Sequence, residues 1–143
     1  MAKGSRILII DDDENIRRVL ETILTDEGYI VESADNAAKG IEKSEKAFFN
    51  LALIDVRLPD MEGIEVLSKL CSTKPKMRKI IVTGYPTLQN AINAVNKGAN
   101  AYVMKPFDVE KILQTIKEQL LKNKPNHREK TYITSANSHL LHW

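Results

Sequence analysis

Five short apolar runs, each of strand length and each followed by a polar residue, leave this chain few ways to fold. Arg6-Ile7-Leu8-Ile9-Ile10 ends abruptly in Asp11-Asp12-Asp13-Glu14, Leu51-Ala52-Leu53-Ile54 ends in Asp55, Ile80-Ile81-Val82 in Thr83-Gly84, and Ala101-Tyr102-Val103-Met104 in Lys105-Pro106. Tyr29-Ile30-Val31 is the remaining short run. Apolarity that continues without alternation belongs to strands covered on both faces, as in a parallel sheet flanked by helices.

The stretches between these runs carry the helical period. Ile16, Val19, Leu20, Ile23 and Leu24 share one face, with Gly28 as the stop; Ala37, Ala38 and Ile41 give a smaller stripe. Ile64, Leu67 and Leu70 mark a third helix, and Leu88, Ala91, Ile92 and Val95 a fourth that stops near Gly98. Asp108 is placed to cap a fifth, with Val109, Ile112, Leu113 and Ile116 on its buried side. Five strand and helix units make a small α/β domain, and residues 1–120 are read as that domain. The 143 residues suit one ordinary domain and exclude a helicase or a multidomain kinase within them.

From Leu121 to Trp143 the pattern weakens into Lys-Asn-Lys-Pro-Asn-His and Thr131-Tyr132-Ile133-Thr134-Ser135, read as a C-terminal tail or linker stub. This tail holds Lys122, Lys124, Arg128 and Lys130 against Glu129, so the formal net charge of +2 lies there and residues 1–120 are close to neutral. Such a body is not a basic nucleic-acid binder, and the tail is too short for the folded core of a helix-turn-helix. No apolar run approaches the roughly 20 residues needed to span a bilayer. The start lacks the apolar stretch of a signal peptide, so the expected location is the cytoplasm without membrane insertion. The single cysteine, Cys71, excludes an internal disulfide or a multi-cysteine metal site and is read as packing or incidental exposure.

In a parallel α/β sheet, ligands bind beyond the carboxyl ends of the strands. Asp11 and Asp12 follow the first strand, Asp55 the third, Thr83 the fourth and Lys105 the fifth, so one rim gathers acids, a hydroxyl and an amine. Two carboxylates about 4 Å apart repel by about 4 kcal/mol at an effective dielectric of 20. A small divalent cation relieves this, and magnesium prefers all-oxygen donors. The amine adds what a metal alone does not explain. A carboxylate nucleophile that accepts a phosphoryl group needs positive charge and hydrogen-bond donors around the incoming oxygens. Asp55 fits the nucleophile, Lys105 the cation and Thr83 the donor.

With these residues in order, the chain resembles the receiver domain of two-component response regulators over roughly residues 5–120. The resemblance rests on Ile-Leu-Ile-Ile-Asp-Asp-Asp-Glu, on Leu-Ile-Asp-Val-Arg-Leu-Pro-Asp-Met-Glu-Gly, on Val-Thr-Gly-Tyr and on Tyr-Val-Met-Lys-Pro-Phe. It implies a flavodoxin-like, doubly wound five-stranded parallel sheet in the order 2-1-3-4-5. It makes Asp55 the phosphoacceptor and a magnesium ligand, Asp12 a direct magnesium ligand, Asp11 one acting mainly through water, and Arg57 the lender of a backbone carbonyl. Thr83 matches the hydroxyl that senses the phosphoryl group, and Lys105 matches its salt-bridge partner. Tyr102 matches the aromatic that reorients with Thr83, and Pro106 the residue whose preceding bond is cis. Asp13 is read as an additional surface acid.

The resemblance further implies a phosphohistidine donor on a sensor histidine kinase or phosphotransfer protein, self-catalysed acceptance and loss of the group without direct use of ATP, and output through a homodimer or a downstream effector. The contrasting reading is a receiver-like adaptor that binds proteins without being phosphorylated. A flavin carrier lacks its phosphate-cradling first loop here. An aspartyl-phosphate phosphatase lacks the second acid two positions after Asp55.

Overall fold

The computed structural model describes residues 4–84, 87–122 and 132–134. Strands and helices alternate throughout: β1 (Arg6–Ile10), α1 (Glu14–Asp26), β2 (Ile30–Ala34), α2 (Ala37–Lys46), β3 (Leu51–Asp55), α3 (Gly63–Thr73), β4 (Arg78–Thr83), α4 (Leu88–Asn96), β5 (Ala101–Met104), α5 (Val109–Leu121) and β6 (Tyr132–Thr134). The strands form one parallel sheet in the order β2-β1-β3-β4-β5-β6. This contains the expected order 2-1-3-4-5 and continues it by one strand, which lies in the segment read from sequence as tail. Residues 123–131 and 135–143, with the three histidines and the closing His-Leu-Leu-His-Trp, lie outside the described residues, as do Tyr85 and Pro86.

The sheet divides the core in two, as strand alternation requires. Leu8, Ile10, Ala52, Ile54 and Ile81 face one side, where Val66, Leu67 and Leu70 of α3 and Ala91 and Ala94 of α4 cover them. Ile7, Ile9, Leu51, Leu53 and Ile80 face the other, under Leu20 and Leu24 of α1 and Ile112 and Ile116 of α5. Every residue of β3 and β4 is buried. That double cover explains why residues 51–54 and 80–82 run apolar without a polar beat. Gly28 and Gly98, with φ of +95° and +104°, turn the chain out of α1 and α4 through the left-handed region that a Cβ disfavours.

Two boundaries differ from the sequence reading for physical reasons. β4 begins at Arg78 rather than Ile80 because both charged residues ahead of the apolar run find internal partners. Arg78 donates to Gln119 Oε1 of α5, at 2.6 Å from Nη2, and Lys79 Nζ donates to the Lys74 carbonyl at 2.6 Å. The second strand runs on to Ala34, beyond its apolar part, because it is a sheet edge where polar residues remain satisfied. Glu32 there pairs with Arg6 at 2.8 Å and Lys43 at 3.6 Å. Among the described residues no helix is long and apolar enough to cross a membrane.

Candidate functional site

The order in which strands are added reverses between β1 and β3, parallel neighbours in the sheet whose connections leave toward opposite edges. A crevice opens at such a switch point, beyond the carboxyl ends of the strands. β1 delivers Asp11 and Asp12 to one side of it and β3 delivers Asp55 to the other. Carboxylate oxygens of Asp11, Asp12 and Asp55 lie within 4.8 Å of one another, with Asp11 and Asp55 buried and Asp12 exposed. Lys105, just past β5, reaches across the rim: its Nζ is 2.7 Å from Asp11 Oδ2 and 3.7 Å from Asp55 Oδ1. The bond between Lys105 and Pro106 is cis, as the sequence reading expected.

The surroundings make Asp55 a weak acid. Burial, then the Asp11 carboxylate, push its pKa up to about 6, against the opposing pull of Lys105 and of the Arg57 backbone N–H. One lysine does not neutralise three acids, so the rim keeps an excess of negative charge. An all-oxygen donor set with that excess fits a hard divalent cation; it does not suit a zinc ion that prefers nitrogen and sulfur. The structure thereby brings Asp11, Asp12, Asp55 and Lys105 together as the strand-end pattern predicted.

Thr83 closes β4 and is fully buried; in the register Asp55 pairs with Val82, one residue before it. The Lys105 backbone N–H donates to the Thr83 carbonyl at 2.7 Å, which ties the end of β5 to the end of β4. Tyr102 pairs with Ile81 in the sheet and is 1% exposed, with its ring in the core cluster that holds Ala91 and Ala94. Burial raises its phenol to about 12, so the hydroxyl is neutral at physiological pH.

Several supporting residues escaped the sequence reading. Asp13 is the exposed surface acid the sequence suggests and is also the N-cap of α1, accepting from the Asn15 and Ile16 amides. An aspartate directly ahead of a helical stripe is a local signal for that role. Arg17 holds the acidic corner from the side by donating Nη1 to the Asp11 carbonyl at 2.8 Å. Asp60 accepts from the Ala37 and Ala38 amides at 2.9 and 3.0 Å, capping α2 from the loop after β3. These amide bonds hold its carboxyl below the usual range. No local pattern announces a cap supplied from another loop. Gly63 packs so closely under Asp55 that a Cβ there would fall on the Asp55 carbonyl oxygen.

The response regulator receiver domain model matches residues 7–117. The chain belongs to the response regulator receiver domain family. A CheY-like receiver domain protein from Methanospirillum hungatei JF-1 superposes with a TM-score of 0.82 at 49% identity, covering 85% of this chain and 97% of that one. The beryllofluoride-activated NtrC4 receiver domain dimer superposes at 0.80 with 33% identity, covering 83% and 98%. In sequence, the receiver is 37% identical over 123 residues to the uncharacterized transcriptional regulatory protein YkoG of Bacillus subtilis, over 86% of this chain and 54% of YkoG. It is 35% identical over 114 residues to the transcriptional regulatory protein ZraR of Klebsiella oxytoca, over 80% of this chain and 26% of ZraR. The chain therefore spans about half of one of these regulators and about a quarter of the other.

Proposed function

We propose that this receiver takes a phosphoryl group onto Asp55 from the phosphohistidine of a sensor histidine kinase or phosphotransfer protein, and that the group changes a protein-binding face. The observation that carries the reading is the meeting of Asp11, Asp12 and Asp55 within 4.8 Å, with Lys105 paired to two of them. A carboxylate with a raised pKa is the better nucleophile. In the transfer an Asp55 oxygen bonds to phosphorus as the phosphorus–nitrogen bond of the donor breaks. The electron pair of that bond leaves on the imidazole, which takes a proton from solvent. Water attack on the resulting acyl phosphate later releases phosphate and restores the carboxylate, so the receiver promotes its own dephosphorylation and is not an ATP-dependent kinase.

Asp12 directly, Asp11 mainly through water, Asp55 and the Arg57 carbonyl would hold magnesium, which when bound supplies positive charge to the phosphoryl oxygens. Lys105 supplies the opposite side, moving its ammonium from Asp11 toward the new oxygens. Thr83 donates its hydroxyl to a phosphoryl oxygen, and the end of β4 draws the Tyr102 side of β5 with it. The face around α4, β5 and α5 then serves a homodimer or an effector. We place the protein in the cytoplasm, acting through protein contacts and not by direct nucleic-acid binding or membrane insertion.

The test is intact mass after incubation with magnesium and a small phosphodonor. Wild type is expected to gain one labile phosphoryl group and Asp55→Asn none. Stoichiometric labelling of the Asp55→Asn protein would overturn the assignment, and no labelling of wild type by the donor or by a phosphorylated kinase would favour the adaptor reading.

A further inference from the structure

The strand Tyr132–Thr134 has no part in the phosphoryl site, yet it is placed on the strand that connects to it. It pairs in parallel with β5, with Tyr132 opposite Ala101, Ile133 opposite Tyr102 and Thr134 opposite Val103. Without it β5 would be the sheet edge, a row of backbone donors and acceptors open to any extended segment. Its direction follows from topology: α5 returns the chain to the start of β5, so the next segment enters as the third part of a β-α-β unit. Its sequence also suits the position, because Thr131-Tyr132-Ile133-Thr134 is β-branched and aromatic between polar flanks.

We propose that the β5 edge is a strand-accepting surface, and that Tyr132–Thr134 occupies it in cis and competes there with a second copy of this chain. The proposal rests on the reading above in one respect, that the face around α4, β5 and α5 is where the receiver self-associates. β5 reports to the phosphoryl site by its own bonds. Lys105 follows it directly, donates its backbone N–H to Thr83, and places its ammonium on Asp11. A three-residue strand at the edge of the sheet is a local element that opens far more easily than the sheet beneath it. A change in how β5 is held at Lys105 therefore reaches the weakest pairing in the sheet. The strand is a strap over the edge, and self-association requires its departure.

The test compares the full wild-type chain with Ile133→Pro, whose ring cannot sit in a paired strand without disrupting it. A second variant replaces Tyr132, Ile133 and Thr134 together with glycine, lowering strand preference without a proline. Residue-resolved amide exchange in the unphosphorylated proteins should show Ala101–Met104 exchanging at least tenfold faster in both variants, with β1 and β3 unchanged. Sedimentation at matched phosphoryl occupancy, fixed by intact mass, should show both variants self-associating with a dissociation constant at least threefold lower than wild type. Unchanged exchange over Ala101–Met104 would overturn the strap. Faster exchange with equal self-association, including none in any of the proteins, would overturn the competition. Failure of the phosphoacceptor reading is a separate result, since it appears as an absent mass increment and leaves the exchange comparison intact.

Discussion

Removing the charge of Asp55 should stabilise the receiver while abolishing its chemistry. The pKa of Asp55 is raised from 3.8 to about 6 by burial and by the Asp11 carboxylate. The shift is roughly two pH units, and at about 1.4 kcal/mol per unit the ionised group withholds about 3 kcal/mol from folding. Water at the exposed Asp12 side of the rim screens part of this, so the expected gain for Asp55→Asn at neutral pH is about 1.5 to 3 kcal/mol. The sign follows from linkage: the folded pKa lies above the unfolded one, so the associated stability is present below 3.8, is lost as pH rises to about 6, and stays lost above it. Urea unfolding in metal-free buffer should therefore show wild type and variant nearly alike close to pH 4, diverging through pH 6 and parallel thereafter. Adding magnesium at pH 7.5 should stabilise wild type more than the variant and narrow the gap. A variant no more stable than wild type at pH 7.5, or a gap that is the same at pH 4, would refute the reasoning.

Lys105→Met keeps most of the stem and removes the charge, so phosphotransfer to Asp55 measured by stopped flow should slow by about a hundredfold with the fold intact. Gly63→Ala places a methyl on the Asp55 carbonyl and should lower stability by about 1 to 3 kcal/mol in the same urea assay. Thr83→Ala should accept phosphate on Asp55 yet lose most of the phosphate-dependent shift of the Tyr102 ring signals in NMR at matched occupancy.

What the sequence reveals of this fold depends on where the information is local. β1, β3 and β5 are legible because strands covered on both sides must be apolar throughout, and the rim residues are legible because they are what ends those runs. Arg78 and Lys79 mislead because burial is permitted to a charge whose partners, Gln119 and the Lys74 carbonyl, come from elsewhere in the fold. β6 is three residues long in a polar segment, below the length at which period distinguishes strand from loop. Asp11, Asp12, Asp55 and Lys105 meet because parallel strands point the same way, which the pattern contains. The Arg17 contact with the Asp11 carbonyl and the Asp60 cap on α2 depend on the paths of loops, which it does not.

The loop after β3 has a consequence for how the rim meets a ligand. The Gly63 N–H donates to the Val56 carbonyl at 2.6 Å, Arg57 and Glu62 form an antiparallel bridge, and Asp60 is fastened to the start of α2. The backbone beside Asp55 is thus ordered when the chain folds, and an arriving ion or phosphoryl group has no loop entropy to overcome on this side. Recognition here is a matter of charge meeting a fixed mould. A single residue inserted between Arg57 and Glu62 would spoil that mould while leaving every acid of the rim in place.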